Sequence, residues 1–237
     1  MDIRSIYIDK YEFLEIDMGG AAAVFSTAKN NLDFNKSKDV GIKNIENLKK
    51  WFELKSIGYL NQVHGNDLIV YKNKVEDGDA IFTNEINNAV GVFTADCVPV
   101  ILYDRKNRII AAVHSGWKGT LNLIVKKAIR KLKNDYKSTE DDIFVCIGPN
   151  IQSCCYTVGE DVIDKFENSV FYRGKDIFIK NNLNLKKCIK YQLQSEKIKN
   201  ENIKFIDVCT FCSSEYKMHS YRKDKNCGRM FSFVYMK

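Results

Sequence analysis

The chain has 237 residues, enough to enclose a sizeable apolar core, and reads as a single domain spanning 1–237. Hydrophobic residues make up 45% and charged residues 28%, which excludes an intrinsically disordered chain. The net charge of +7 would suit an anionic partner, but lysines such as Lys36, Lys49, Lys126, Lys137, Lys186 and Lys199 are scattered among Asn and Glu, and no zinc-finger, RRM or basic-helix pattern points to nucleic acid.

From the N-terminus, charges every few residues in MDIRSIYIDKYEFLEIDMGG exclude the apolar core of a signal peptide. Extended segments are predicted at 11–16, 21–26, 57–63, 67–71, 89–93, 98–103, 108–114, 143–147, 203–207 and 229–236. Helical spacing joins Ile45, Leu48, Trp51 and Phe52. It recurs at Leu121, Val125, Ala128, Ile129 and Leu132, with Thr120 as the expected N-cap, and at Leu185, Cys188, Ile189 and Leu193, with Asn184 as the N-cap. The apolar run from Val90 to Leu102 is broken by Asp96 and is too short for a membrane span, so no membrane partner is expected. A cytoplasmic location follows as the expectation, and the eight cysteines then read as thiols rather than a disulfide framework. Strands that often follow one another directly, with helices set among them, make the fold class α+β, with mixed, mainly antiparallel sheets flanked by helices.

The stretch TADCVPVILYDRKNRIIAAVHSGWKGT carries the first chemical signal. Asp104-Arg105-Lys106-Asn107 separates two β-branched runs, so a β-hairpin is predicted. Pairing Asp104 with Asn107, or Tyr103 with Arg108, gives the same register, and that register sets Cys97 directly opposite His114, with Cβ atoms about 4.5–5.5 Å apart. Pro99 cannot donate to a ladder, so the first strand is expected at an edge or bulged there. Taken singly, Cys97 is compatible with a small buried hydrophobe and His114 with a core histidine. The chain holds only three histidines, however, and His64 in NQVHGND also ends a strand-like run. Two His and one Cys would leave a tetrahedral ion one open position, as catalytic zinc sites do. Asp96 would point to the opposite face of a regular strand from Cys97, which favours a structural hydrogen-bonding role. Cys209 and Cys212 form a lone CxxC, and Cys154 and Cys155 are adjacent; these four read mainly as buried thiols, with redox or second-metal roles as alternatives.

The segments VFSTA, NQVHG, GDAIFT, TADCVPVILYD, AAVHSGWKGT, IGPNIQSCCYTVGEDV, VCT and SYRKDKNCGRM, in this order and spacing, resemble the YfiH family. This is the laccase domain, first described as multicopper polyphenol oxidases and later assigned as purine nucleoside phosphorylases with adenosine deaminase activity. The resemblance implies a YfiH-like fold distantly similar to the catalytic domain of a cytotoxic necrotizing factor. It implies metal ligands and catalytic residues at His64, Cys97 and His114, zinc as cofactor with copper as the alternative, and small-molecule nucleoside and phosphate as partners. Arg222, Arg229 and Lys118, which stand in or beside the motifs, are the candidate substrate- or phosphate-binding residues.

The chain departs from the family in places. Ala28-Lys29-Asn30-Asn31 replaces an arginine and a Gly-Gly pair, so the glycine turn is expected to be lost. Lys118 and Lys223 stand where arginines are usual, keeping charge without the planar fork. His219 falls at an aromatic position and is not counted as a ligand. The implied reactions are phosphorolysis of adenosine, inosine and methylthioadenosine to base and sugar 1-phosphate, together with adenosine deamination. The alternatives are a copper-dependent polyphenol oxidase, a metal-free hydrolase with Cys97 as nucleophile and His114 as base, and a non-catalytic metal-binding protein.

Overall fold

The computed structural model describes residues 2–237. In chain order run β1 (Ile3–Ile8), β2 (Tyr11–Asp17), β3 (Ala21–Ser26), α1 (Asp39–Trp51), β4 (Ser56–Gly58), β5 (Leu68–Val70), β6 (Ala80–Thr83), β7 (Asn88–Thr94), β8 (Val98–Asp104) and β9 (Ile109–Ser115). There follow α2 (Trp117–Leu121), α3 (Ile124–Tyr136), β10 (Ile143–Ile147), α4 (Glu160–Glu167), β11 (Phe178–Ile179), β12 (Asn182–Leu183), α5 (Leu185–Ser195), β13 (Ile203–Phe205) and β14 (Met230–Met236). The class is α+β as expected, with most ladders antiparallel and parallel pairing at β4–β7, β5–β6 and β10–β13.

Two six-stranded sheets, β1-β2-β3-β14-β7-β4 and β13-β10-β8-β9-β6-β5, pack face to face. Alternation along the strands explains the layering. In β9, Ile110 and Ala112 join Ile101, Tyr103, Ala23, Phe25 and Val92 between the sheets, whereas Ile109, Ala111 and Val113 face a second core with Val125, Ile129 and Leu132 of α3 and Ile189 and Leu193 of α5. On the far side of the first sheet, Ala22, Val24, Phe231 and Phe233 pack against Ile45 and Leu48 of α1. With both faces covered, β8 and β9 are buried along their whole length, which is why they read as continuous apolar runs. No helix among the described residues is long and apolar enough to cross a membrane.

The hairpin forms, but its register differs from the one expected. Asp104 pairs with Ile109 and Pro99 with His114, so Cys97 does not lie opposite His114. The physical reason lies in the turn. Asp104 Oδ1 accepts the backbone N–H groups of Lys106 and Asn107, and Arg108 turns left-handed at φ 53°, which closes a four-residue loop one position later on each strand. Each partner moves by two residues, and because side chains alternate with period two, Cys97 becomes a diagonal neighbour of His114 on the same face. Pro99 also sits at neither an edge nor a bulge. Its strand lies between β9 and β10, but the β10 ladder ends at the Val100–Ile147 pair, just short of the proline. No partner there needs the missing N–H.

Two other expectations are corrected. Thr120 does not cap the helix of Val125 and Leu132. It lies inside the short α2, with its hydroxyl 2.8 Å from Ser115 Oγ and its carbonyl accepting from Tyr172 and Gln192, and left-handed Leu123 (φ 61°) separates α2 from α3. Nor is the turn after Thr27 lost. Asn30 and Asn31 adopt left-handed backbone at φ 55° and 60°, a conformation asparagine tolerates better than most residues, and the Asn30 amide donates to the Lys10 carbonyl. Asn184 caps α5 as expected, its side chain accepting from the Lys187 N–H at 2.9 Å.

Candidate active site and metal centre

His64, Cys97 and His114 come from three separate segments and meet at one end of the sheet sandwich. Their ligand atoms all lie within 4.8 Å of one another, and the two imidazoles stand nearly perpendicular, with centroids 4.9 Å apart. His114 is buried at the end of β9, Cys97 is half-buried just before β8, and His64 is exposed in the loop after β4. Gly116 makes this approach possible. A Cβ there would lie 3.0 Å from Cys97 Sγ and within 4 Å of both imidazoles, so a side chain would fill the space the three ligands share.

Two carboxylates hold the ligands from behind. Asp79 is fully buried, and Oδ1 lies 2.7 Å from His114 Nδ1. The same carboxylate accepts the backbone N–H groups of Val63, His64 and Gly65, which fixes His64 in a left-handed conformation (φ 58°). Asp79 therefore accepts a hydrogen bond from Nδ1–H of one imidazole, which leaves Nε2 as the nitrogen turned to the shared space, and positions the backbone of the other. Asp96 serves Cys97. Its backbone bends to φ 94°, a strained value for a residue with a Cβ, where a regular strand would have continued. Its side chain accepts from the Thr210 hydroxyl (2.7 Å) and the Arg222 N–H (2.7 Å), and its carbonyl accepts from the Ile151 N–H (3.0 Å).

The electrostatics follow from this packing. Burial pushes the Cys97 thiol up, but the His114 cation and hydrogen bonds from both histidines outweigh it and bring the thiol down to about 6. Burial pushes His114 down, and the Cys97 thiolate and Asp79 carboxylate raise it to about 9. Burial also disfavours the Asp79 anion, yet His114 and the amides of Gly65 and Val63 hold its carboxyl below the ordinary range. Without metal, the pair rests as thiolate and imidazolium. One soft thiolate and two imidazoles around a space kept clear by Gly116 form a donor set suited to zinc or copper, with a position left open.

The three candidate ligands line a cavity of about 660 Å³. Phe93, Trp117, Tyr156 and Tyr221 supply aromatic walls, and Lys36, Arg222 and Arg229 supply positive charge. Arg222 donates to the Thr157 carbonyl at 2.7 Å and lies 5.0 Å from the Tyr156 ring, and Arg229 donates to the Gly228 carbonyl at 3.0 Å. Both expected arginines therefore reach the cavity with guanidinium donors to spare. Lys118 does not line it. It is exposed on α2, with Nζ 5.7 Å from the Trp117 ring. His219 stands apart from the ligand cluster, its Nε2 donating to the Leu32 carbonyl at 2.8 Å, and Lys223 is exposed.

Sequence reasoning missed Asp79, Gly116 and Lys36. Asp79 carried a usable signal, an acid directly before the fully buried strand β6 in GDAIFT, which is costly unless the charge is satisfied. Lys36 carried none. It reaches the site only because the loop before α1 folds over it, where burial lowers its pKa.

Comparisons agree across the chain. The sequence model of a family described as "Multi-copper polyphenol oxidoreductase laccase" matches residues 16–237. A purine nucleoside phosphorylase of Clostridium acetobutylicum is 49% identical over 240 residues, covering 100% of both chains. An adenosine deaminase, RL5, of an unknown prokaryotic organism is 30% identical over 169 residues, 69% of this chain and 64% of its own. The crystal structure of a hypothetical protein YfiH of Bacillus licheniformis superposes with a TM-score of 0.87 over 97% of this chain and 100% of that one, at 24% identity.

Proposed function

We propose, because this chain belongs to the YfiH family of laccase-domain proteins, that it is a zinc-dependent enzyme of purine nucleosides, cleaving adenosine, inosine and methylthioadenosine with phosphate and also deaminating adenosine. The observation that carries this reading is the combination in one cavity of an open three-ligand set, aromatic walls and cationic side chains. A polyphenol needs the aromatic walls but not the cations, whereas a nucleoside with phosphate uses both.

In phosphorolysis a phosphate oxygen forms a bond to C1′ of the ribose, the bond from C1′ to the base nitrogen breaks, and the purine leaves with the electron pair. Trp117, Tyr156, Phe93 and Tyr221 offer flat apolar surfaces for the base. Arg222, Arg229 and Lys36 would neutralise the phosphate, the arginines through paired N–H donors. His64, Cys97 and His114 would hold the zinc, and when bound it supplies Lewis acidity to an oxygen of phosphate, ribose or water. Asp79 would keep the proton on His114 Nδ1, so that Nε2 is the nitrogen that gives up its proton and becomes the donor when the ion binds. In deamination, oxygen from water replaces the amino group at C6 and ammonia leaves; the same aromatic walls would hold the purine.

A second reading has one observation in its favour. Cys97, His114 and Asp79 also form a nucleophile, base and orienting acid, with the thiol already held low. The test is metal analysis of purified protein, followed by assays of inosine with phosphate and of adenosine alone, before and after chelation and after restoring zinc or copper. Zinc-restored nucleoside turnover is expected. Turnover by metal-free protein with covalent trapping of Cys97 would favour the hydrolase, and polyphenol oxidation requiring copper and oxygen would favour the oxidase. Absence of nucleoside turnover in the zinc-loaded protein would end the proposal.

A further inference from the structure

Beside the active site, two loops converge beyond the C-terminal ends of the parallel neighbours β10 and β13, tied together by a bridge between Asn150 and Cys209. The first loop turns at Cys154 and Cys155, with the Cys155 N–H donating to the Gln152 carbonyl at 2.9 Å. The second is the Cys209–Cys212 turn, closed by the Ser213 N–H on the Cys209 carbonyl at 3.0 Å. The four sulfurs lie within 4.8 Å of one another, and those of Cys154 and Cys212 are 3.7 Å apart.

We propose that Cys154, Cys155, Cys209 and Cys212 form a second metal site, a closed tetrathiolate that takes one zinc ion and locks these two loops. Four sulfurs at about 2.3 Å from a tetrahedral ion stand about 3.8 Å from one another, so the observed separations are those one ion would gather with small side-chain shifts. A disulfide would join sulfurs in pairs at about 2.05 Å and gives no reason for four to converge on one point. The donor set is soft and complete, which suits a structural rather than a catalytic zinc. Cys209 is prepared as a ligand by backbone N–H groups of Gln152, Phe211 and Cys212 directed at its sulfur, which hold it down against burial. Partial desolvation, and after it the neighbouring sulfurs, push Cys154 up to about 11 and Cys155 higher still, so binding would expel their protons. Cys154 and Cys212 are exposed, giving the ion a route in.

The loops it would lock carry part of the active site. Ile151 and Thr210 both bond Asp96, whose bend sets Cys97, while Tyr156 lines the cavity and Thr157 accepts from Arg222. The site would therefore act as a structural clamp on one wall of the cavity.

The test counts zinc per chain in protein purified anaerobically with reductant. In the H64A/C97S/H114A variant, which lacks the first centre, one tightly held zinc per chain is expected, with X-ray absorption showing four sulfurs near 2.3 Å. Cobalt in that variant should give the intense thiolate charge-transfer bands of a four-sulfur site. Should that variant not fold, the independent arm is Cys154→Ser with Cys212→Ser, which should hold one zinc fewer than the parent chain. Four free thiols with no bound zinc, an unchanged zinc count in the double-serine variant, or a mass showing disulfides among these four under reductant would each overturn the proposal.

Discussion

Asp79 shows how one buried residue can organise a site whose visible chemistry lies elsewhere. Its carboxylate touches His114 directly and holds the loop of His64 through three amides. Replacing it with Asn puts an N–H₂ donor among these donors and removes the charge that fixes the His114 tautomer. Asp79→Asn should weaken zinc binding by about 10–100-fold, read by competition with a chromogenic chelator. Gly116→Ala should weaken it too, because the added Cβ would press on Cys97 Sγ at 3.0 Å; thermal unfolding of the metal-free protein should change far less than the affinity. The titrations set a pH dependence with a definite sign. His114, held up to about 9 without metal, must lose its proton to bind an ion, whereas Cys97, brought down to about 6, is already a thiolate at neutral pH. Zinc affinity should therefore rise about tenfold per pH unit between 7 and 9, level off above, and fall more steeply below 6. Calorimetry in buffers of different ionisation enthalpy should find about one proton released per zinc at pH 7.5.

At the scale of elements, the hairpin of β8 and β9 divides what the sequence could disclose from what it could not. Two β-branched runs around Asp104 identify the strands, and parity places Cys97 and His114 on one face. The register was illegible because it depends on Arg108 turning left-handed, a choice made by hydrogen bonds to Asp104 rather than by any preference of arginine. Arg108→Gly should therefore relieve about 1 kcal/mol of backbone strain, partly offset by unfolded-state entropy, and leave the melting temperature equal or slightly higher. A clear drop in a thermal melt would contradict that account of the turn. Helices α2 and α4 were missed for a related reason. Each is short and contributes few periodic apolar positions, and the break at Leu123 disguises α2 as the first turn of α3.

At the scale of the whole molecule, the site is a product of the sheet sandwich. β6, β8 and β9 are neighbours inside one sheet, so Asp79, Cys97 and His114 arrive together at the same end of its strands, while His64 comes from the connection between β4 of one sheet and β5 of the other. His64, Cys97 and His114 were legible as candidate ligands through scarce histidines and motif spacing. Asp79 left only the trace of an acid placed directly before a buried strand, and Lys36 left none, because its role depends on which loop the folded sheets bring over the cavity. An ion held by His64, Cys97 and His114 would join three segments spread over about fifty residues and should stabilise the folded chain as well as activate it, with a melting temperature that rises with zinc concentration. The most direct test is phosphate-dependent conversion of inosine to hypoxanthine by metal-stripped protein given back zinc, with Cys97→Ser as the comparison. The account predicts turnover that returns with zinc in the parent chain and stays absent in the serine variant. Equal turnover in stripped and reloaded protein, or none in either, would contradict it.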